Sequence, residues 1–595
     1  MNFWRLDYCR YFKGKRILSV VSALALLSPA YCEDEHAAGS KLAAEPHTSS
    51  AISSSVSPSG SSSTDGASSS STSTVTAIPA SFQSLDSIVG NWLKRPDLAH
   101  SSIGIEVMEL PSGKVLYSLN SSRRFVSAST AKVLTTSCAF DTFGGAFKYK
   151  TRLYASGKVT DSSVGGDLVI VPSQDPTFSR SDLNTLFRST VQKGIRSVYG
   201  KISLLPVAGG FDSFNTGWLN EDWGQEWMPA SSNLIVDRNI VQGNFVLKGF
   251  KSNNFGPDQA YNAAYRSLLI SGNSSAWLEC NPHSRELNFY RSPGMSLGAP
   301  LVVANPSEFN QALAHSSAVG AGIKVSEHDT AKDHGALTLI AEHDSTPLWT
   351  IVQITLHESD NLYAQQLLRS IGAGKSELDS APDANLVNTA TSWSSQSLED
   401  RGLSRLGAWL TKIGVPPQEV LLYDGCGLSR KNGISPHALN TVLKYMATPT
   451  LDGPYLLLLK RNNPVGSRGS FSFKTGTMDT VRSIAGVLQT VGGQKCAVTV
   501  MVNGHAQNVR NLSAEVNGLI ALLDTIKTIK IARTPVIKDA GKALGPNALR
   551  TDAEGPASAK ETTYVELARG AGVSSRAPRT TKSASSPARR SRRGH

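Results

Sequence analysis

The chain has 595 residues, of which 40% are apolar and 18% charged, and its formal net charge is +12. This length exceeds one compact core, so two or three domains are expected. The apolar share excludes a wholly disordered or collagen-like chain, and six cysteines in this length exclude a miniprotein built on disulfides.

The positive charge is concentrated at the two ends of the chain. Residues 1–30 carry a net charge of +4 and residues 573–595 carry +7, which leaves only +1 for everything between them. A nucleic-acid-binding groove needs Lys and Arg clustered within the folded part. The near-neutral body therefore argues against nucleic acid as a partner.

The N-terminus has the three parts of an export signal. Basic residues up to Arg16 precede the apolar run 17–27, and the small-residue sequence Ser28-Pro29-Ala30 follows it. The apolar run is too short to span a bilayer as a helix. We therefore predict a signal peptide over 1–30 and a protein exported to the periplasm or cell envelope, with a short buried helix as the alternative.

The next segment, 31–76, is predicted to be a disordered linker because Ser, Thr and Gly dominate it and little in it can be buried. Globular patterning then begins with the first part of a domain, 77–156. Its first elements are a predicted hairpin of Ser102–Leu110 and Lys114–Ser118, joined by a Pro-Ser-Gly turn.

A helix predicted from Ser129 to about Phe140 begins with Ser129-Thr130-Ala131-Lys132. Residues three apart share a helix face, so the serine hydroxyl and the lysine amine can meet. The helix N-terminus and burial disfavour the ammonium form, which would let Lys132 act as a base toward Ser129. No other lysine in the chain has serine three positions earlier. Taken alone, however, a capping serine beside a solvated lysine explains this pattern better.

Segment 157–345 has a different character, with short strands, many Gly and Asn turns and a Trp-rich stretch. It is predicted to be an insertion of mostly β domains. Gly294-Met295-Ser296-Leu297-Gly298 within it matches the nucleophile elbow of Ser-His-Asp hydrolases, which requires a helix directly after the serine. Pro300 would break that helix, so this alternative is disfavoured.

The second part of the domain, 346–531, opens with helical patterns. Ser359-Asp360-Asn361 begins the predicted helix Asn361–Ile371, and its alternative interpretation is a simple helix cap. His357-Glu358 begins a metalloprotease-like pattern, but Asn361 stands where the second histidine is needed. No metal and no other cofactor is predicted.

Lys474-Thr475-Gly476-Thr477 lies at the end of the first of three predicted apolar strands. These strands are Phe471–Lys474, Ser483–Thr490 and Lys495–Asn503. Glycine permits close backbone approach, lysine offers a cation to a carboxylate, and threonine offers a hydroxyl. A strand-ending turn with an exposed lysine is the alternative. After residue 531 the chain becomes a disordered basic tail, 532–595, which is expected to associate weakly with anionic envelope polymers.

Together and in this order, the three motifs form the Ser-x-x-Lys, Ser-x-Asn and Lys-Thr-Gly set of penicillin-binding proteins and serine β-lactamases. Three longer segments resemble low-molecular-mass class C penicillin-binding proteins in particular. They are Phe125–Lys132, Ser359–Ala364 and Asp424–Arg430. This group comprises the D-Ala-D-Ala carboxypeptidase/endopeptidases similar to penicillin-binding protein 4, peptidase family S13.

The resemblance covers about 82–531 and is thinnest within the insertion. It implies an α+β fold, in which a β-lactamase/transpeptidase-like domain of antiparallel sheet and flanking helices carries inserted, mostly β domains. Ser129 and Ser359 are 230 positions apart, a spacing that fits the nested domains of that family. The chain departs from the family at Ser127, where proline is usual, and at Cys426, where serine is usual.

The resemblance also implies a hydrolase mechanism. Ser129 would attack the carbonyl between two terminal D-alanines of a peptidoglycan stem peptide, and Lys132 would accept its proton. Ser359 would relay a proton to the leaving amine, and Asn361 would hold the substrate backbone.

The third motif would bind the end of the substrate. Lys474 and Thr475 would bind the terminal carboxylate, with Thr477 beside them. The backbone N–H groups of Ser129 and Thr477 would form the oxyanion hole. Water would release the acyl group, and β-lactam antibiotics would acylate Ser129 as inhibitors.

Two other functions remain open from the sequence. One is an inactive envelope scaffold that binds peptidoglycan, although such a cleft has no chemical need for a Ser–Lys pair. The other is a β-lactamase or esterase on the same fold, which the large insertion disfavours. The sequence leaves disulfide pairing, oligomeric state and the balance between carboxypeptidase and endopeptidase activity open.

Overall fold

The computed structural model describes residues 85–520 apart from gaps at 216, 220–221, 223–224, 247–248, 253–265, 272–276, 282–285, 292–296, 304, 327–334, 381–395, 449–453, 463–469, 491 and 505–517. These residues all belong to the unit Ile78–His595. The predicted signal peptide, linker and basic tail lie outside the described residues, as does Ser296 of the nucleophile-elbow pattern. No helix in the described part has the length and apolarity to cross a membrane.

The first part of the chain forms a helix, a strand hairpin and a second helix that is preceded by a 3-10 turn. These elements are α1 (Leu85–Leu93), β1 (Ser102–Leu110), β2 (Val115–Leu119), the turn Ala128–Thr130 and α2 (Ala131–Phe143). The predicted hairpin and the helix that begins at the Ser-x-x-Lys motif are therefore confirmed.

The insertion consists mostly of strands, as expected, but also contains two long helices. Its elements are β3 (Lys150–Ser156), β4 (Ser163–Val164), β5 (Leu168–Val171), α3 (Arg180–Gln192), β6 (Ser197–Val198), β7 (Ile202–Leu204), β8 (Ile240–Val246), β9 (Gly249–Ser252), β10 (Arg266–Ser271), β11 (Trp277–Asn281), β12 (Glu286–Arg291), β13 (Leu297–Val302), α4 (Pro306–Gly320), β14 (Lys324–Val325) and β15 (Leu337–Asp344). A capping box between Ser179 and Asp182 begins α3, and Pro306 at the first position begins α4.

The last part of the chain returns to helices and ends in strands. Its elements are α5 (Leu348–His357), α6 (Asn361–Ala373), α7 (Lys375–Asp379), α8 (Leu398–Lys412), β16 (Val420–Leu421), β17 (Gly433–Ile434), α9 (Pro436–Met446), α10 (Pro454–Leu457), β18 (Lys460–Asn462), β19 (Ser470–Met478), β20 (Val481–Gln489) and β21 (Lys495–Asn503). The strand expected to end at Lys474 continues to Met478, because β20 pairs with it as far as Val481.

The central sheet has the order β18-β19-β20-β21-β1-β2 and is antiparallel throughout. It joins the two parts of the domain because β1, from the first part, pairs with β21 along its whole length. Helix α1 packs on one face of the sheet, and α2, α6 and α9 belong to the hydrophobic cluster on the other. With both faces covered, β20 and β21 are buried almost continuously, which explains their unbroken apolar sequences.

The insertion has its own hydrophobic core, built around the sheet β15-β3-β5-β7. Strand β3 pairs with β15 from Lys150 onward, so the insertion closes on itself at its two ends. We infer that the insertion starts near Lys150, a few residues before the boundary drawn from the sequence. The described part of the insertion also contains three three-stranded sheets, with orders β14-β6-β4, β13-β8-β9 and β10-β12-β11.

Helices α6 and α8 approach each other closely where glycines face the opposite backbone. A Cβ atom at Gly402 would lie 2.2 Å from the carbonyl oxygen of Leu368, and one at Gly372 would lie 2.0 Å from that of Leu398. Helix α6 begins at the Ser-x-Asn motif, so this packing fixes the body of the helix that carries the motif.

Replacing Gly402 with alanine should therefore force the two helices apart. We expect Gly402→Ala to destabilise the fold by about 1–3 kcal/mol, as overpacking typically does. A Cβ atom at Gly407, in the same helix, would instead enter open space, so Gly407→Ala should be neutral or stabilising by up to about 1 kcal/mol. Thermal unfolding midpoints test the pair, and equal shifts in both variants would contradict the close packing.

Candidate active site

Ser129 is held by a strained turn at the start of the helix. Ala128, directly before it, has a left-handed φ of +46°, a conformation that costs a non-glycine residue of order 1–3 kcal/mol and persists only where neighbours hold it. Gly427 is one such neighbour, because a Cβ there would lie 1.9 Å from the Ala128 carbonyl oxygen. The Ser127 carbonyl is also fixed, accepting hydrogen bonds from Thr130 Oγ1 at 2.7 Å and Ser483 Oγ at 2.5 Å.

The third motif contacts this turn directly. A Cβ atom at Gly476 would lie 2.6 Å from the Ser127 carbonyl oxygen and 2.9 Å from the Ser129 nitrogen. Only glycine therefore allows strand β19 to approach the backbone of Ser129 so closely. The close contact brings the first and third motifs to one place.

Lys132 is fully buried, and its amine lies at the centre of the site. Nζ donates hydrogen bonds to Ser129 Oγ at 3.0 Å, to Asn361 Oδ1 at 2.7 Å and to the Cys426 carbonyl at 2.6 Å. Burial lowers the pKa of Lys132, because desolvation penalises the ammonium form, although nearby Asp424 and Asp360 oppose this change. A neutral amine in contact with a serine hydroxyl can accept its proton.

The second motif forms a turn that ends in a helix cap. Ser359 has a left-handed φ of +59°, and its Oγ accepts a hydrogen bond from Lys474 Nζ at 2.9 Å. Asp360 caps α6 by accepting a hydrogen bond from the Tyr363 nitrogen at 3.0 Å. The capping interpretation therefore applies to Asp360, while Ser359 contacts the lysine of the third motif.

Lys474 is buried in a cluster of positive charge. Burial lowers the pKa of Lys474 well below its usual value, and the positive charges of Lys132, Arg482 and Lys460 lower it further. Lys474 Nζ also donates to the Thr475 carbonyl at 2.9 Å. An incoming carboxylate would favour the charged form of this lysine.

The structure thus brings together the predicted residues Ser129, Lys132, Ser359, Asn361 and Lys474 through direct hydrogen bonds. Thr475 and Thr477 lie on strand β19, which also carries Lys474.

Arg482 was not identified from the sequence. It lies opposite Thr477 in the β19–β20 register, and its Nη1 donates to Thr477 Oγ1 at 2.5 Å. A lone arginine in an apolar strand gave no signal, because the contact depends on strand pairing.

The segment 424–430, noted in the sequence only as a resemblance, is organised by one buried carboxylate. Asp424 is fully buried and accepts hydrogen bonds from five groups. They are the backbone nitrogens of Cys426, Gly427 and Ser429 and the side chains of Asn432 and Trp218. This arrangement holds the Cys426 carbonyl against Lys132.

Three cysteines of the described part, Cys138, Cys426 and Cys496, are free thiols. Cys138, Cys426 and Cys496 are all buried, and burial raises the pKa of Cys138 and of Cys496 to about 12. Burial also raises the pKa of the Cys426 thiol well above its usual value. Within the described ranges, no group of three or more His, Cys, Asp or Glu side chains could hold a metal ion.

A serine and a buried lysine at the start of a helix, a Ser-x-Asn turn and a Lys-Thr-Gly strand define the class of penicillin-binding proteins and serine β-lactamases. Within that class, the family model described as "D-Ala-D-Ala carboxypeptidase 3 (S13) family" matches residues 84–523, and the chain belongs to that family. The prediction of a serine D-Ala-D-Ala carboxypeptidase similar to penicillin-binding protein 4 is thereby confirmed.

Two relatives align with most of the chain. The chain is 22% identical over 440 residues to D-alanyl-D-alanine carboxypeptidase DacB of Haemophilus influenzae, covering 68% of this chain and 86% of that protein. It is 23% identical over 453 residues to a D-alanyl-D-alanine carboxypeptidase of Actinomadura sp. strain R39, covering 70% and 80% respectively.

A solved structure has the same fold. Penicillin-binding protein 4 from Haemophilus influenzae is similar with a TM-score of 0.59 at 19% identity, covering 73% of this chain and 98% of that one. The predicted α+β fold, an antiparallel sheet flanked by helices with extra domains, is confirmed.

The contact between Gly476 and the Ser127–Ser129 turn can be tested by adding one methyl group. We expect Gly476→Ala to slow covalent labelling by a fluorescent penicillin by about 10- to 100-fold, because displacing a reacting group by about 1 Å costs that much. Ser470→Ala, at the start of the same strand, is the control and should label normally. Normal labelling of Gly476→Ala would contradict the close approach.

Proposed function

We propose that the protein is a serine-type D-Ala-D-Ala carboxypeptidase and DD-endopeptidase that trims or cleaves peptidoglycan stem peptides through an acyl-enzyme on Ser129. The observation that carries this proposal is the 3.0 Å contact between the buried Lys132 amine and Ser129 Oγ. The serine hydroxyl and its candidate base therefore lie within hydrogen-bonding distance of each other.

Acylation would begin with proton transfer from Ser129 Oγ to the neutral amine of Lys132. The Oγ atom would form a bond to the carbonyl carbon of the penultimate D-alanine, and the resulting oxyanion would lie between the backbone N–H groups of Ser129 and Thr477. Each such donor contributes about 10²–10³ to the rate in other enzymes. Collapse of this intermediate would break the bond to the terminal D-alanine nitrogen.

Ser359 would return a proton to that leaving nitrogen, a role supported by the hydrogen bond that its hydroxyl accepts from Lys474. Lys474 and Thr475 would bind the terminal carboxylate of the substrate, with Thr477 beside them. Asn361, whose Oδ1 accepts from Lys132, would hold the peptide backbone. Water would then attack the acyl-enzyme and regenerate Ser129.

β-Lactams would acylate the same serine and act as inhibitors. The alternative of a β-lactamase or esterase requires that the acyl-enzyme formed with a β-lactam be hydrolysed rapidly. Comparing nitrocefin turnover with D-alanine release from a pentapeptide separates these activities. An inactive peptidoglycan-binding scaffold is disfavoured, because binding alone gives no reason to bury an amine against a serine hydroxyl.

Such an enzyme acts where peptidoglycan is assembled, which agrees with the export signal predicted in residues 1–30. We propose that the mature protein works in the periplasm or cell envelope. The seven basic residues of 573–595 would add weak attraction to anionic envelope polymers, an interaction that salt screens.

Removal of the Ser129 hydroxyl tests the nucleophile directly. We expect Ser129→Ala to fold with an unchanged thermal midpoint, to take no fluorescent-penicillin label and to release no D-alanine from purified muropeptides. Thr135→Ser, a conservative change further along the same helix, is the control: prepared in the same way, it should stay active. Undiminished D-alanine release by Ser129→Ala would remove this residue from the nucleophile role.

The lowered pKa of Lys132 predicts a pH dependence. The base must be neutral, so the acylation rate should rise as pH increases through this pKa and then level off. Because burial lowers the pKa, the rise should lie below about pH 10.4, the ordinary value for lysine. Lys132→Arg keeps the positive charge but cannot lose its proton, and we expect its acylation rate to fall by about 10²–10⁴. A rate independent of pH, or an active arginine variant, would exclude Lys132 as the base.

A further inference from the structure

Three consecutive residues of the insertion have left-handed backbone angles. Asp237, Arg238 and Asn239 have φ values of +49°, +61° and +52°. Asn and Asp adopt this region more readily than other residues, but usually singly. A run that includes an arginine is strained, and such strain persists where surrounding structure enforces it.

The two ends of this turn are anchored inside the insertion. Asn239 is buried, and its Nδ2 donates to the Ala230 carbonyl at 2.9 Å and to Ser232 Oγ at 3.1 Å. The Asp237 carboxylate accepts a hydrogen bond from the Arg180 backbone nitrogen at 3.1 Å. The side chain of the middle residue, Arg238, instead contacts a residue outside the insertion.

The Arg238 guanidinium forms an ion pair with the carboxylate of Asp360, through Nη2 and Oδ2. Asp360 is the middle residue of the Ser-x-Asn motif, and its side chain is only 6% exposed. Its other carboxylate oxygen caps helix α6 at Tyr363. One carboxylate therefore connects the strained turn of the insertion to the helix that begins at the motif.

A second contact from the insertion reaches the same motif. The Trp227 carbonyl accepts a hydrogen bond from Asn361 Nδ2 at 2.8 Å. Because this hydrogen bond fixes the Nδ2 atom of Asn361 toward Trp227, the Oδ1 atom of the same amide faces Lys132 Nζ. Both residues that follow Ser359 in the motif are thus held from the insertion.

We propose that Arg238 is a positioning residue of the active site, supplied by the insertion. By holding Asp360 it keeps Ser359 in its left-handed conformation, with Oγ against Lys474 and Asn361 against Lys132. An arginine suits this role because its guanidinium stays charged and presents several donors in a fixed plane. This inference rests on the proposed function.

The ion pair of Arg238 with Asp360 would also affect the electrostatics of Lys132, because Asp360 is one of the carboxylates that act on this amine. Among the described residues, the charged groups that act on Lys132 are the carboxylates of Asp424 and Asp360 and the amine of Lys474, and the Cys426 thiol also lies near it. Without Arg238, the charge of Asp360 is no longer compensated and favours the ammonium form of Lys132. The pH at which acylation becomes half-maximal should then increase.

The experiment compares Arg238→Gln, Arg238→Lys, Asp360→Asn and the double variant Arg238→Gln/Asp360→Asn with the wild type. Asp360→Asn removes the charge but keeps a good helix-capping side chain. Arg188→Gln, an exposed arginine on α3 of the insertion, is the matched control. Acylation by a penicillin is followed by stopped flow across pH, and kcat and KM are measured for D-alanine release.

We expect Arg238→Gln to lower kcat and the acylation rate about tenfold, with KM unchanged, and to move the pH midpoint upward. Arg238→Lys should recover most of the rate. In the Asp360→Asn background, Arg238→Gln should have no further effect on rate or on the pH midpoint, because the partner charge is already gone.

Three results would overturn the inference. The first is an acylation rate of Arg238→Gln equal to that of the control Arg188→Gln. The second is that the two substitutions lower the rate independently in the double variant. The third is a loss of activity in Arg238→Gln that a lower thermal midpoint explains entirely. Failure of the proposed function looks different, since the wild type itself would then take no penicillin label and release no D-alanine.

Discussion

The burial of the Lys132 amine is the constraint on which the rest of the site depends. Moving an ammonium group from water into a protein interior costs several kcal/mol of solvation free energy unless the group is paired or hydrogen-bonded. The hydrogen-bond partners of the Lys132 amine come from the turn before α2, from the Ser-x-Asn motif and from the Cys426 carbonyl. These three segments must therefore meet around one nitrogen atom, and the fold is arranged so that they do.

Strained or unusually close backbone is found where these segments meet. Ala128 and Ser359 have left-handed φ angles, and Gly427 and Gly476 accept backbone atoms where a side chain would collide. Strain of this kind needs rigid surroundings. The central sheet supplies them through β19 and β20, and the insertion supplies them through the turn that carries Arg238. The insertion is thus part of the support of the active site as well as a separate folded body.

Much of the site could be predicted because its residues are close in sequence or fall at helical spacing. Ser129 and Lys132 share a helix face, and the apolar strands after Lys474 are evident from composition alone. The full extent of β19 is not, since Thr475, Gly476 and Thr477 interrupt the apolar pattern and are held in the strand by pairing with β20. Arg482 and Arg238 had no local signal, because their partners are distant in sequence or on another strand, and Asp424 was marked only by the resemblance of its segment.

The sequence alone shows that the net charge of +12 is concentrated at the two ends of the chain and that the body between them is nearly neutral. The sequence by itself also determined the order of the three motifs, the helix that begins at Ser129 and the apolar strands, because periodicity and residue chemistry are local properties. Only the tertiary structure decided that the Lys132 amine is desolvated, that Lys474 contacts Ser359 and that the insertion holds Asp360. Burial and contacts across more than a hundred residues arise from packing, and packing is specified by the whole chain together.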